Sequence, residues 1–142
     1  MQKLIEIRQK LKDKYSDLTF SASDKEKPKG LNEIFLQKVF ENLEKNYQEE
    51  SYTIDQLCVD TSVSRAQMHR KLIALTGKST SDFVRYFRIK KAKEMLLTPD
   101  ITISEIAYQV GFKDPNYFTK SFIKEVGITP SQYRIDNSVL QQ

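Results

Sequence analysis

The chain has 142 residues with 23 Lys+Arg, 19 Asp+Glu and a formal net charge of +4, and 39% of it is hydrophobic, enough for the core of one domain. One cysteine excludes an intramolecular disulfide, and no apolar run approaches the ~20 residues of a spanning helix. Met1 to Arg8 lacks the apolar stretch and small-residue cleavage site of a signal peptide, so a cytoplasmic segment without membrane contact is expected.

Leu4, Ile7, Leu11 and Leu18 form a helical stripe over residues 1–18 that resembles the start of a coiled-coil seam. At about two and a half heptads the seam is too short to be stable alone, since isolated helices below roughly 15 residues are marginal, so it should pack on its own domain, on a second copy, or on a domain outside this chain. Residues 19–30, with Pro28 and Gly30 in a polar run, read as a flexible linker. A folded domain is expected over 31–134, and a tail over 135–142.

Within that domain almost every segment has helical periodicity, and none alternates with period two. Phe35 or Leu36, Val39, Phe40, Leu43 and Tyr47 mark the apolar face of a first helix. Thr53 with Gln56, Ser64 with Gln67 and Thr102 with Glu105 have capping-box spacing, and Asp114 before Pro115 is a further helix start. Gly77 and Gly127 suit helix C-caps, and Gly111 suits a tight turn. Residues 82–97 read as one longer helix with Phe83, Phe87 or Tyr86, Ile89, Ala92, Leu96 and Leu97 on its apolar side.

The pattern occurs twice. Residues 53–64 return 49 positions later as 102–113, and after a one-residue insertion Met68, Leu72 and Gly77 fall opposite Phe118, Phe122 and Gly127. Each copy reads as helix, tight turn, helix. The implied fold is all-α, with two helix-turn-helix units joined by a central linker helix and preceded by a short N-terminal helix and linker.

Charge is unevenly spread. Residues 31–60 hold seven acids and two bases, whereas residues 64–97 hold nine bases against Asp82 and Glu94. Such a patch attracts phosphates through counterion release, although a basic helix face can also serve solubility alone. A helix fits the major groove, where all four base pairs are distinguishable. If Met68, Leu72 and Leu75 face inward, the second helix of the first copy presents Arg65, Ala66, His69 and Arg70, with Gln67 flanking. With Phe118, Phe122 and Val126 inward, the second copy presents Pro115, Asn116, Thr119 and Lys120, with Tyr117 flanking. Arg can bridge guanine O6 and N7, Asn can bridge adenine N6 and N7, and Ala or a Thr methyl can meet the thymine methyl. The two sets differ, so the site read should be asymmetric. Ser64, Lys71, Arg85, Arg88, Lys113 and Tyr117 complete the set as phosphate contacts.

The second copy, Ile103 to Phe122 followed by Gly127, Ile128, Thr129, Pro130, Tyr133 and Arg134, closely resembles the signature of the AraC/XylS transcription regulators. The resemblance covers roughly residues 34–134, including the linker helix with Arg88 and Ala92. It implies recognition helices in successive major grooves, with Ala66, His69 and Arg70 of the first unit and Asn116, Thr119 and Lys120 of the second at base-facing positions. That family often has a larger residue where Ala66 stands. The implied partners are double-stranded promoter DNA and RNA polymerase, with a homodimer through residues 1–18 or through domains outside this chain. Lys10 to Ser16, the polar linker, and Asn32 to Leu36 also resemble the junction between receiver and DNA-binding domains in hybrid two-component regulators.

Other chemistry is poorly supported. Cys58 and His69 alone cannot form a zinc site, and Cys58 aligns with Ala107, which marks it as a small buried residue. Tyr52, Tyr86 and Tyr108 read as core. No paired acids, glycine-rich phosphate loop or nucleophile-base pair points to an enzyme or a cofactor. The alternative is a dimerising protein-interaction module or a nonspecific DNA-binding module.

Overall fold

The computed structural model describes residues 30–140, so the helix expected over 1–18 and nearly all of the linker expected over 19–30 lie outside the described residues. Seven helices and no strands are found among the described residues: α1 Leu31–Asn46, α2 Ile54–Thr61, α3 Arg65–Thr76, α4 Thr80–Leu96, α5 Ile103–Gln109, α6 Pro115–Val126 and α7 Pro130–Leu140. They form two compact units. The first contains residues 30–42 and Ile54–Phe83, and the second contains Leu43–Thr53 and the chain from Val84 onward.

The first unit holds the pair α2 and α3 with the start of α1. Its buried side chains include Phe35, Leu36, Val39, Phe40, Leu57, Cys58, Met68, Leu72, Leu75 and Phe83, and Phe40 meets Phe83 edge-on at 5.5 Å. The expected core face of α1 is therefore present from Phe35 to Leu43, with Phe35 and Leu36 both inside, whereas Tyr47 falls just beyond the helix end and is half-buried. Burial pushes the Cys58 thiol pKa up, as befits an inert small core residue.

The second unit packs α5 on α6 and α6 on α7. Ile89, Ala92, Leu96, Ile106, Ala107, Val110, Phe112, Phe118 and Phe122 form its core, with Tyr47, Val126 and Tyr133 partly buried against it. A chain of edge-on or tilted aromatic contacts runs from Phe112 through Phe118 and Phe122 to Tyr133. Of Phe87 and Tyr86, Phe87 is the one buried on α4. Two expectations change. Leu97 lies beyond the end of α4 and is 39% exposed, and Tyr108 is 56% exposed, because Ile106 and Ala107 of α5, with Val110 just after it, already fill the inward positions. The last helix also continues past Arg134 to Leu140.

The two copies match at the level of single backbone hydrogen bonds. In the first turn, Ser62 N donates to Val59 O and Val63 N to Cys58 O, both at 3.1 Å. In the second, Gly111 N donates to Tyr108 O at 3.1 Å and Phe112 N to Ala107 O at 2.9 Å. This is the Schellman closure of a helix, which needs one residue in the left-handed region. Gly111 occupies it with φ 90° and Ser62 with φ 60°. Each second helix then begins on a side-chain cap. Ser64 and Gln67 form the full reciprocal capping box, and Asp114 Oδ1 accepts from Tyr117 N at 2.8 Å with Pro115 in the first turn. Both helices end on a left-handed glycine, Gly77 or Gly127.

Candidate nucleic-acid interface

Burial of Met68, Leu72 and Leu75 fixes the rotation of α3 within its unit, and Arg65, Ala66, Gln67, His69 and Arg70 are exposed on it. Gln67 Oε1 accepts from Ser64 N at 3.0 Å, and Ser64 Oγ accepts from Gln67 N at 3.1 Å. The amide oxygen of Gln67 is thus committed to the cap, which leaves its NH2 group as the group to offer outward. Arg65 Nη1 lies 3.3 Å from Asp55 Oδ1 of α2, an exposed pair of little energetic weight that orients the guanidinium at the first turn of α3. Lys71 is half-buried, its Nζ 5.0 Å from the centre of the Phe35 ring.

In the second unit Phe118 and Phe122 are buried, and Lys113, Asn116 and Lys120 are exposed, whereas Thr119 is half-buried. Tyr117 is 42% exposed; its ring meets Phe112 edge-on at 5.7 Å, and its hydroxyl oxygen accepts from Arg85 Nη1 at 3.1 Å. Within each unit, then, the side chains expected to read bases lie on the second helix, with Thr119 the least accessible.

Arg88 has a different place from the one expected. Its Nε donates to Tyr47 O at 3.2 Å and its Nη2 to Glu49 O at 3.1 Å. These carbonyls follow the C-terminus of α1, where helix carbonyls lack intrahelical partners and a cation is favoured. The guanidinium is half-buried, and desolvation lowers its pKa, opposed by Glu50 and Tyr117. Arg88 is therefore a structural fork, with Nε and Nη2 committed to main-chain carbonyls. Lys91 strengthens the same corner by pairing with Glu44 at 2.6 Å and lying over the Tyr47 and Phe87 rings. Arg134 repeats the device at the end of α4, donating to Leu96 O at 2.9 Å and Thr98 O at 3.1 Å. Sequence reasoning missed both forks, since their acceptors are main-chain carbonyls that every residue carries.

Among the described residues no group of three or more His, Cys, Asp or Glu is placed to hold a metal, and no helix is long and apolar enough to cross a membrane.

Comparison with known proteins agrees with the all-helical fold. Over 134 residues, 94% of its length, the chain is 34% identical to "Histidine kinase P4" of Formosa agariphila, of which it spans 10%. Over 89 residues, 63% of its length, it is 37% identical to the HTH-type transcriptional activator RhaR of Salmonella dublin, of which it spans 32%. The C-terminal domain of the two-component response regulator yesN from Fusobacterium nucleatum superposes with a TM-score of 0.63 at 33% identity, covering 70% of this chain and 96% of that one. A helix-turn-helix domain model matches residues 57–135, more than half of the sequence, and with two such units on an all-helical frame the chain belongs to the AraC/XylS-type helix-turn-helix family.

Proposed function

We propose that this chain is the DNA-binding output domain of a transcription regulator, in which α3 and α6 each read a short stretch of bases. The observation that carries this reading is the repeated unit itself. Two second helices, closed by the same turn and held by the same buried positions, expose two chemically different sets of side chains. Arg65, Ala66, Gln67, His69 and Arg70 form the first set and Asn116, Thr119 and Lys120 the second, with Ser64, Lys71 and Lys113 as phosphate contacts. Enrichment from a random duplex library at two salt concentrations tests it. Two different boxes spaced about one helical turn, ~10 base pairs, are expected. Absence of enrichment, with binding lost at the higher salt, would leave only a nonspecific basic surface. On the selected site Arg70→Ala is expected to cost about 1 to 3 kcal/mol and to relax preference at one position. Equal loss on selected and random duplexes would remove Arg70 from the readers.

The breadth of the match to the kinase favours a second level of the reading, in which this domain is the output of a hybrid two-component system. As a promoter-bound regulator it would act on RNA polymerase. The stripe of Leu4, Ile7, Leu11 and Leu18 is the candidate seam for a homodimer. Sedimentation of the chain with and without residues 1–18 should show a dimer only when they are present, and a monomer in both cases would discard the seam.

A further inference from the structure

The contact between Arg85 and Tyr117 joins residues 32 positions apart in sequence. Arg85 is on α4, and Tyr117 lies in the first turn of α6, directly after Asn116. Three contacts hold Tyr117. Its main-chain N–H donates to Asp114, its ring edge packs on Phe112, and its hydroxyl oxygen takes a hydrogen bond from the guanidinium. A phenol that accepts in this way keeps its own proton to donate. Among the described residues no protein acceptor takes that proton, although the side chain is otherwise fixed and partly exposed. An outward-facing hydroxyl donor polarised by a guanidinium matches the needs of an anionic oxygen, for which charge-assisted hydrogen bonds are short and strong.

We propose that Arg85 and Tyr117 act as one composite clamp on a single backbone phosphate of the DNA, with Arg85 holding the Tyr117 hydroxyl in position and adding its charge. This rests on the DNA-binding reading above. It goes further in making the two residues interdependent and in fixing the first turn of α6, and hence Asn116, against the strand that the clamp grips. Separate contacts to two phosphates would make the two residues independent.

A double-mutant cycle on the intact chain tests the clamp, with affinity for the selected duplex and for a random duplex followed across a salt series. Tyr117→Phe keeps the ring on Phe112 and removes only the hydroxyl. It is expected to weaken binding by about 5-fold, and Arg85→Gln by about 10-fold, on both duplexes alike. The double variant should be no weaker than about 10-fold, because either change already breaks the clamp. The salt slope should fall by about one contact in Arg85→Gln and stay unchanged in Tyr117→Phe, a readout that loss of packing alone would not produce. Losses that multiply to about 50-fold in the double variant, or a salt slope unmoved by Arg85→Gln, would overturn the clamp while leaving the DNA reading intact. Failure of the unaltered chain to bind duplex DNA would sink both.

Discussion

Gly111→Ala is expected to destabilise the chain by about 3 kcal/mol or more, a large part of the ~5 to 15 kcal/mol that usually separates folded from unfolded. Two costs combine. The position has φ 90°, where an L side chain costs roughly 1 to 2 kcal/mol. A Cβ there would also fall onto the Tyr47 carbonyl oxygen, far inside contact distance, and come within 2.8 Å of Arg88 Nε. The carbonyl is main chain and the guanidinium is tied to it, so neither yields easily, and overpacking of this kind adds about 1 to 3 kcal/mol. Gly127 supplies the control: its φ is 93°, but nothing lies within 4 Å of an added Cβ. Gly127→Ala should therefore lose only the conformational part, about 1 to 2 kcal/mol. Urea denaturation of both variants separates the two costs, and equal losses would show that the close approach of Tyr47 carries no weight.

Phe118→Ala is expected to cost about 3 to 5 kcal/mol, the range for deleting a buried aromatic ring. Phe118 is fully buried and stands in the middle of the ring sequence, with centroids 5.2 Å from Phe112 and 5.8 Å from Phe122. Its removal strips ring contacts from both neighbours and leaves a cavity in the core of the second unit. Two residues earlier, Asn116 is exposed, and Asn116→Ala should shift stability by no more than about 0.5 kcal/mol. Denaturation midpoints for the pair test whether α6 is divided between an inward face that holds the fold and an outward face that does not. A comparable loss from Asn116→Ala would contradict that division.

Much of this fold is legible in the sequence alone. The repeat, the caps at Ser64, Thr102 and Asp114, and the inward positions of α3 and α6 are local features, set by period and by side chains that satisfy nearby amides. Once Met68, Leu72, Phe118 and Phe122 are assigned inward, the exposed side chains proposed as readers follow by elimination. Features that depend on distant main chain were not legible. The acceptors of Arg88 are carbonyls 41 and 39 positions away, with no side-chain signature, and its charge among other bases suggested phosphate instead. Tyr108 was misplaced by its aromatic character, although its repeat partner Val59 is 70% exposed and the two share an outward position. Ser62 hides a left-handed conformation that only its alignment with Gly111 discloses.

The corner gripped by Arg88 bears on ancestry. Leu43–Thr53 belongs to the second unit but precedes the first copy of the repeat in the chain. A gene duplication that placed two copies end to end would have left each with its own boundaries. Here the later copy draws its supporting segment from ahead of the earlier one, so a deletion that removed everything before Val84 would take away Tyr47 and Glu49 together with the carbonyls that Arg88 holds. The later copy is not a portable cassette on those terms. It can be inherited or transplanted only with the segment that lies ahead of the earlier copy, while the side chains exposed on α3 and α6 can diverge in sequence.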